Sequence, residues 1–207
     1  MNIGIRQLIE SDVFDYAQLI DVLSGYGNVR AKIGRLLASG EIIRIKKGIY
    51  TFPEYLRRFP LNPCVLANMI YGPSYVSSDY ALSYYGLIPE RVELVTSMTT
   101  GRPRRFSTLV GNFAYFQRNA ADYSTGIECM ETPGGSFLMA SKEKAVYDKA
   151  LTDKRFDGKN IREYLLDDLR IDEESLSGLN PDILSALNAN STGRQKKLVR
   201  FLEENYA

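Results

Sequence analysis

The 207-residue chain contains no histidine. That absence removes the commonest general acid–base near neutral pH and the commonest transition-metal ligand. Cysteine is scarce: Cys64 and Cys129 lie far apart and form no C-x-x-C unit. A disulfide framework and a metal knuckle are therefore not indicated, and two reduced thiols in a cytoplasmic protein are expected. No stretch approaches the roughly 18 apolar residues of a membrane span. Met1 to Asp12 has no basic stretch leading into an apolar run, which argues against a signal peptide. There is no glycine-rich phosphate loop, no pair of carboxylates at a useful spacing, and no repeat or low-complexity tract. Catalysis would have to run on carboxylates, Lys, Tyr, Ser or Cys. A protein that is not an enzyme and needs no cofactor is the expectation.

What is present is ordinary for a folded protein: 44% hydrophobic and 25% charged residues. The length allows one domain or two small ones. Net charge is only +1, but it is unevenly spread. Between Asn28 and Arg58 eight basic residues stand against two acidic ones, a local +6. Positive charge is concentrated in one segment, as nucleic-acid-binding chains require.

That segment has a readable local pattern. Ile3, Ile5, Leu8 and Ile9 predict a short first helix. Asp15 caps a second, with Tyr16, Leu19, Ile20 and Leu23 on one face. Asn28 opens a third, whose apolar stripe is Val29, Ile33, Leu36 and Leu37, and Gly40 stands where a C-cap glycine belongs. From Glu41 the period changes to two. Ile43 and Ile45 alternate with Arg44 and Lys46, Lys47-Gly48 turns the chain, and Ile49 to Phe52 returns. Three helices followed by a hairpin predict a winged helix-turn-helix over residues 1–54, and Pro53 to Pro63 reads as a linker.

On the third helix Ala31, Gly34, Arg35 and Ala38 lie opposite the apolar stripe. Small residues there let a helix approach base edges, with Arg30, Lys32 and Arg35 to reach bases or phosphates. Asn28 sits at the helix start, where phosphate is favoured. Arg44, Lys46 and Lys47 are placed to grip the backbone of a double-stranded DNA.

Residues 64–207 predict a mixed α+β domain, with an antiparallel sheet and a helical tail. The class of the whole chain is α+β. A helix follows Cys64. Ser78 is expected to cap the helix from Asp79 to Tyr85. Val92 to Gln117 reads as one hairpin of two long strands with Arg102, Arg104 and Arg105 at its tip, a second candidate phosphate contact. Gly126 to Met139 adds strands, Ser141 caps Lys142 to Leu151, and helices run from Asn160 to Tyr206 with Pro181 opening one and Gly193 separating the last two. Lys144 and Asp148 are four apart on the Ser141 helix, which predicts a surface salt bridge. Glu143, Lys144 and Asp148 are also the residues a nuclease-like alternative would use. Tyr75, Tyr80, Tyr84 and Tyr85 cluster as core packing or as a base-stacking surface.

Several separate motifs occur in order: RLLASGEIIRIKKGIY from Arg35 to Tyr50, YVSSDYALSYYGLIPE from Tyr75 to Glu90, VTSMTTGR from Val95 to Arg102, the FAYF strand from Phe113, and ASKEKAVYD from Ala140 to Asp148. Together they resemble the AbiEi family of antitoxins and transcriptional regulators, from about residue 14 to 150. The resemblance implies a winged helix that represses its own operon promoter, bound at inverted repeats by a monomer or homodimer. It also implies a C-terminal domain that opposes a nucleotidyltransferase toxin without a stable complex, as in type IV abortive-infection systems against phage. Tyr75, Ser77, Ser78, Tyr85, Glu143, Lys144 and Asp148 fall in the motifs of that second domain. Shorter regulators of this architecture also stand alone, without a toxin.

Overall fold

The computed structural model describes residues 4–119 and 122–207. Ile3, expected in the first helix, lies outside them. The N-terminal part runs α1 (Ile5–Leu8), β1 (Val13–Asp15), α2 (Tyr16–Val22), α3 (Val29–Ala38), β2 (Ile43–Lys46) and β3 (Ile49–Thr51). The second and third helices and the hairpin stand where the periodicity puts them, while the first helix is shorter than expected because Ile9 is extended. Strand β1 was not foreseen. It pairs antiparallel with β3, giving a three-stranded sheet in the order β1-β3-β2. Three residues are too few to show an alternation by themselves.

Local chemistry sets these boundaries. The Asp15 side chain accepts from the Gln18 amide and the Gln18 side chain accepts from the Asp15 amide, a capping box at the start of α2. Asn28 caps α3 by accepting from Ala31 N at 3.0 Å. Gly40 (φ +73°) and Gly48 (φ +90°) hold the left-handed conformations that end α3 and turn the hairpin.

The small sheet is buried on both faces because successive side chains point opposite ways. Phe14 and Tyr50 face the three helices and pack with Leu19, Leu23, Ile33, Leu36 and Phe52. Val13, Ile45 and Ile49 face away and join the core of the rest of the chain.

After Pro53–Pro63 come α4 (Pro63–Ile70), β4 (Ser74–Val76), α5 (Ser78–Tyr84), β5 (Val95–Thr99), β6 (Arg104–Thr108), β7 (Gly111–Gln117), β8 (Ile127–Thr132), β9 (Gly135–Ala140) and α6 (Lys142–Thr152). The strands form one sheet in the order β6-β7-β5-β4-β9-β8. It is mixed rather than antiparallel: β4–β9 and β5–β7 are parallel pairs. The expected hairpin over Val92–Gln117 is three strands. β7 lies between β5 and β6, and the tight turn is at Leu109-Val110, between β6 and β7. Arg102, Arg104 and Arg105 are therefore not at a hairpin tip; they enter and line the edge strand β6. Alternation along β5 and β7 serves helices on both faces. Tyr115 donates to Ala67 O of α4 at 2.6 Å, while Thr96, one step from Tyr115's partner Ser97, accepts from Tyr80 N of α5.

The tail comprises α7 (Ile161–Glu163), which continues into a wider turn over Tyr164–Asp168, then α8 (Pro181–Ala189) and α9 (Gly193–Tyr206). It packs on α6: Ser191 Oγ donates to Leu187 O and lies 2.9 Å from Tyr147 OH, from which it accepts, and Leu184, Leu187, Leu198 and Leu202 are wholly buried.

Candidate nucleic-acid interface and a buried ionic cluster

α3 is buried through Ile33 and Leu36 and open on the other side. Arg30, Ala31, Gly34, Arg35 and Ala38 are exposed. No heavy atom comes within 4 Å of a Cβ placed on Gly34, so the strip Ala31–Gly34–Ala38 is a shallow surface between two arginines. Lys32 is half-buried, with its ammonium 5.3 Å from the centre of the Tyr26 ring. Asn28 uses its side chain on the helix itself.

In the hairpin, Arg44 and Lys47 are exposed. Lys46 is not available as a backbone grip. A register shift falls between Arg44 and Lys46, and Lys46 reaches α4 and β6. Its Nζ donates to Ile70 O at 2.7 Å and lies 4.4 Å from the centre of the Phe106 ring. Burial and the nearby Arg104 guanidinium lower its pKa. Arg102, Arg104 and Arg105 are exposed, and Arg104 stacks 5.6 Å from the Tyr71 ring centre. Basic groups from β2 and β6 are thus neighbours, although about sixty residues separate them in sequence.

The motifs of the second domain converge on a different place. Asp148 is fully buried. Its Oδ2 accepts from Tyr75 OH and from Ser77 Oγ, both at 2.8 Å, and its Oδ1 lies 2.9 Å from Arg118 Nη1. Arg118 Nη2 donates to Asp122 Oδ2 at 2.7 Å. Lys144, also fully buried, donates to Asp122 O at 2.9 Å. Two cations and two carboxylates balance, with Arg118, Lys144 and Asp148 shut off from solvent and Asp122 at the rim. Burial lowers Lys144 to about 8 and raises the Tyr75 hydroxyl, with Asp148 adding to the latter.

This corrects two expectations. Lys144 and Asp148 do not form a surface pair; both are internal, and each takes another partner. Ser78 is not the cap of α5. Ser77 holds the N-cap position without a side-chain cap bond, because its hydroxyl is spent on Asp148, while Ser78 sits at φ +56°. Glu143 is buried as well, and its Oε1 accepts from Asn180 N, the cap of α8, at 2.8 Å. Tyr85 OH donates to Ala140 O at 3.0 Å. So Tyr75, Ser77 and Asp148 meet, whereas Tyr85 and Glu143 serve other contacts. Arg118 and Asp122 were missed: Arg118 looks like the polar end of the strand FAYFQ, and its partner Asp148 lies thirty residues on. Of the tyrosines, Tyr75 is buried and Tyr84 exposed, so they form no common stacking plane.

No protein-family model and no curated protein matches the chain. Among solved structures, the crystal structure of the RV2827C protein from Mycobacterium tuberculosis is similar, with a TM-score of 0.58 over 98% of this chain and 74% of that one at 14% identity. At that identity the likeness is one of fold.

Proposed function

We propose that the chain is a DNA-binding transcriptional repressor whose first 54 residues are a winged helix-turn-helix, and that its second domain is an antitoxin opposing a nucleotidyltransferase toxin. One observation carries the DNA reading: the small-residue strip of α3, open to solvent between Arg30 and Arg35. A helix so profiled fits the major groove. The element order helix, strand, helix, helix, hairpin agrees with it, as do exposed Arg44 and Lys47 on the hairpin and Arg102, Arg104 and Arg105 beside it. The operator is expected upstream of the chain's own gene. The antitoxin role rests on the motif resemblance. The nuclease-like alternative finds less support, because Glu143 and Asp148 spend their carboxylates on Asn180, Arg118, Tyr75 and Ser77.

The test is fluorescence anisotropy with the upstream duplex and a scrambled duplex at two salt concentrations. Tighter binding to the upstream duplex, weakened steeply by salt, is expected. Equal, weak binding to both overturns sequence-specific repression. For the second domain, co-expression with an abortive-infection nucleotidyltransferase toxin that arrests the host should restore growth; continued arrest overturns the antitoxin role.

A further inference from the structure

Lys46 occupies a position that neither charge steering nor core packing explains alone. It belongs to β2, yet its ammonium caps the last carbonyl of α4, Ile70, a group that a helix C-terminus leaves without an internal partner. The same ammonium lies on the face of Phe106 in β6, a ring that also packs against Tyr71 and Tyr115. One side chain thus joins the hairpin to the helix and the edge strand of the second domain. β6 also carries Arg104 and Arg105, and β2 carries Arg44. Lys46 therefore lies at the contact between the elements that carry the two basic groups.

We propose that Lys46 is a positioning residue for DNA: it fixes the hairpin on the second domain so that Arg44 and Lys47 on one side and Arg104 and Arg105 on the other meet a single duplex, and it makes no phosphate contact itself. This rests on the DNA-binding reading above. The competing arrangement is that Val13, Ile45 and Ile49, packed into the second core, hold the joint without it.

The full chain is tested as Lys46→Met, Lys46→Arg and Phe106→Leu, with thermal melting confirming that each folds. A spin label on exposed Cys129 and a second on Gln7→Cys, exposed on α1 and away from the α3 strip, report the distance between the parts; Cys64 is buried, with its thiol pushed up to about 12, and stays unlabelled. The parent and Lys46→Arg should give one narrow distance distribution, because arginine keeps the donors and the stacking. Lys46→Met and Phe106→Leu should broaden it. Duplex affinity of Lys46→Met should fall about three- to tenfold, the scale of one ordinary net hydrogen bond, with the salt slope unchanged. A narrow distribution in Lys46→Met with a slope reduced by about one makes Lys46 a phosphate contact and overturns the proposal. A narrow distribution with affinity intact overturns it in favour of the apolar joint. If the parent binds no DNA, the repressor reading fails while the label distances still decide the role of Lys46 in holding the joint.

Discussion

Asp148 shows what a buried charge demands of its surroundings. Its two oxygens are met by a guanidinium and two hydroxyls drawn from β7's end, β4 and the start of α5. Removing it leaves Arg118 charged and without one partner at 3% exposure. Asp148→Ala should therefore destabilise the fold by about 3–5 kcal/mol, read from urea unfolding. Lys144 carries a pH signature. Its folded pKa of about 8 lies below the roughly 10.4 of an unfolded chain. Between those values the unfolded chain binds the extra proton, so stability rises with pH there. The penalty for burying the ammonium is complete below the folded pKa and is relieved above it. Compared with Lys144→Met, the parent should gain stability as pH is stepped through that window; a constant difference across it would refute the assignment.

At the scale of the element, α3 separates two requirements. Its buried stripe serves folding and, on the proposed reading, its open strip serves binding, so substitutions on the strip should move one without the other. Gly34→Ala meets open space and improves helix propensity, and should raise stability by about 0.5–1 kcal/mol. Gly34→Leu should keep the melting temperature and lose duplex affinity, because the side chain fills the gap to the bases. Arg35→Ala should cost about 1–3 kcal/mol on the upstream duplex and little on a scrambled one. Lys47→Ala should weaken both alike and lower the salt slope by about one. A Gly34→Leu protein that binds as tightly as the parent would place the reading surface elsewhere.

Across the whole molecule, single side chains bind successive parts of the chain together. Lys46 joins the N-terminal hairpin to α4 and β6, and Glu143 joins α6 to the cap of α8. The tail is thereby part of the second core rather than an appendage, with Leu184, Leu187, Leu198 and Leu202 wholly buried. Glu143→Ala leaves Asn180 N without its acceptor. It should cost about 1–3 kcal/mol and speed amide exchange in α8 more than in α3. Uniform acceleration through the chain would mean that the tail has no local stability of its own to lose.

Elements whose signals are local are legible in the order of residues alone. α3 between Asn28 and Gly40, the turn at Lys47-Gly48, α6 behind Ser141, and the helices opened by Pro181 and Gly193 all follow from caps, periods and left-handed glycines within one turn of the chain. The motif resemblance names Tyr75, Ser77 and Asp148 among seven residues of the second domain, and nothing local in the chain sets those three apart. The tertiary structure decided whatever depends on distant partners. β1 has no pattern of its own and exists by pairing with β3. β7 inserts between β5 and β6 because a parallel partner is chosen across the sheet, not along the chain. Lys144 and Asp148 have the spacing of a surface pair, but burial and the approach of Arg118 and Asp122 assign each a different partner. Lys46 has the composition of a phosphate contact, and only the arrival of Ile70 and Phe106 turns it inward. Charge can be counted in a sequence; whether water or protein surrounds it is fixed only when the fold closes.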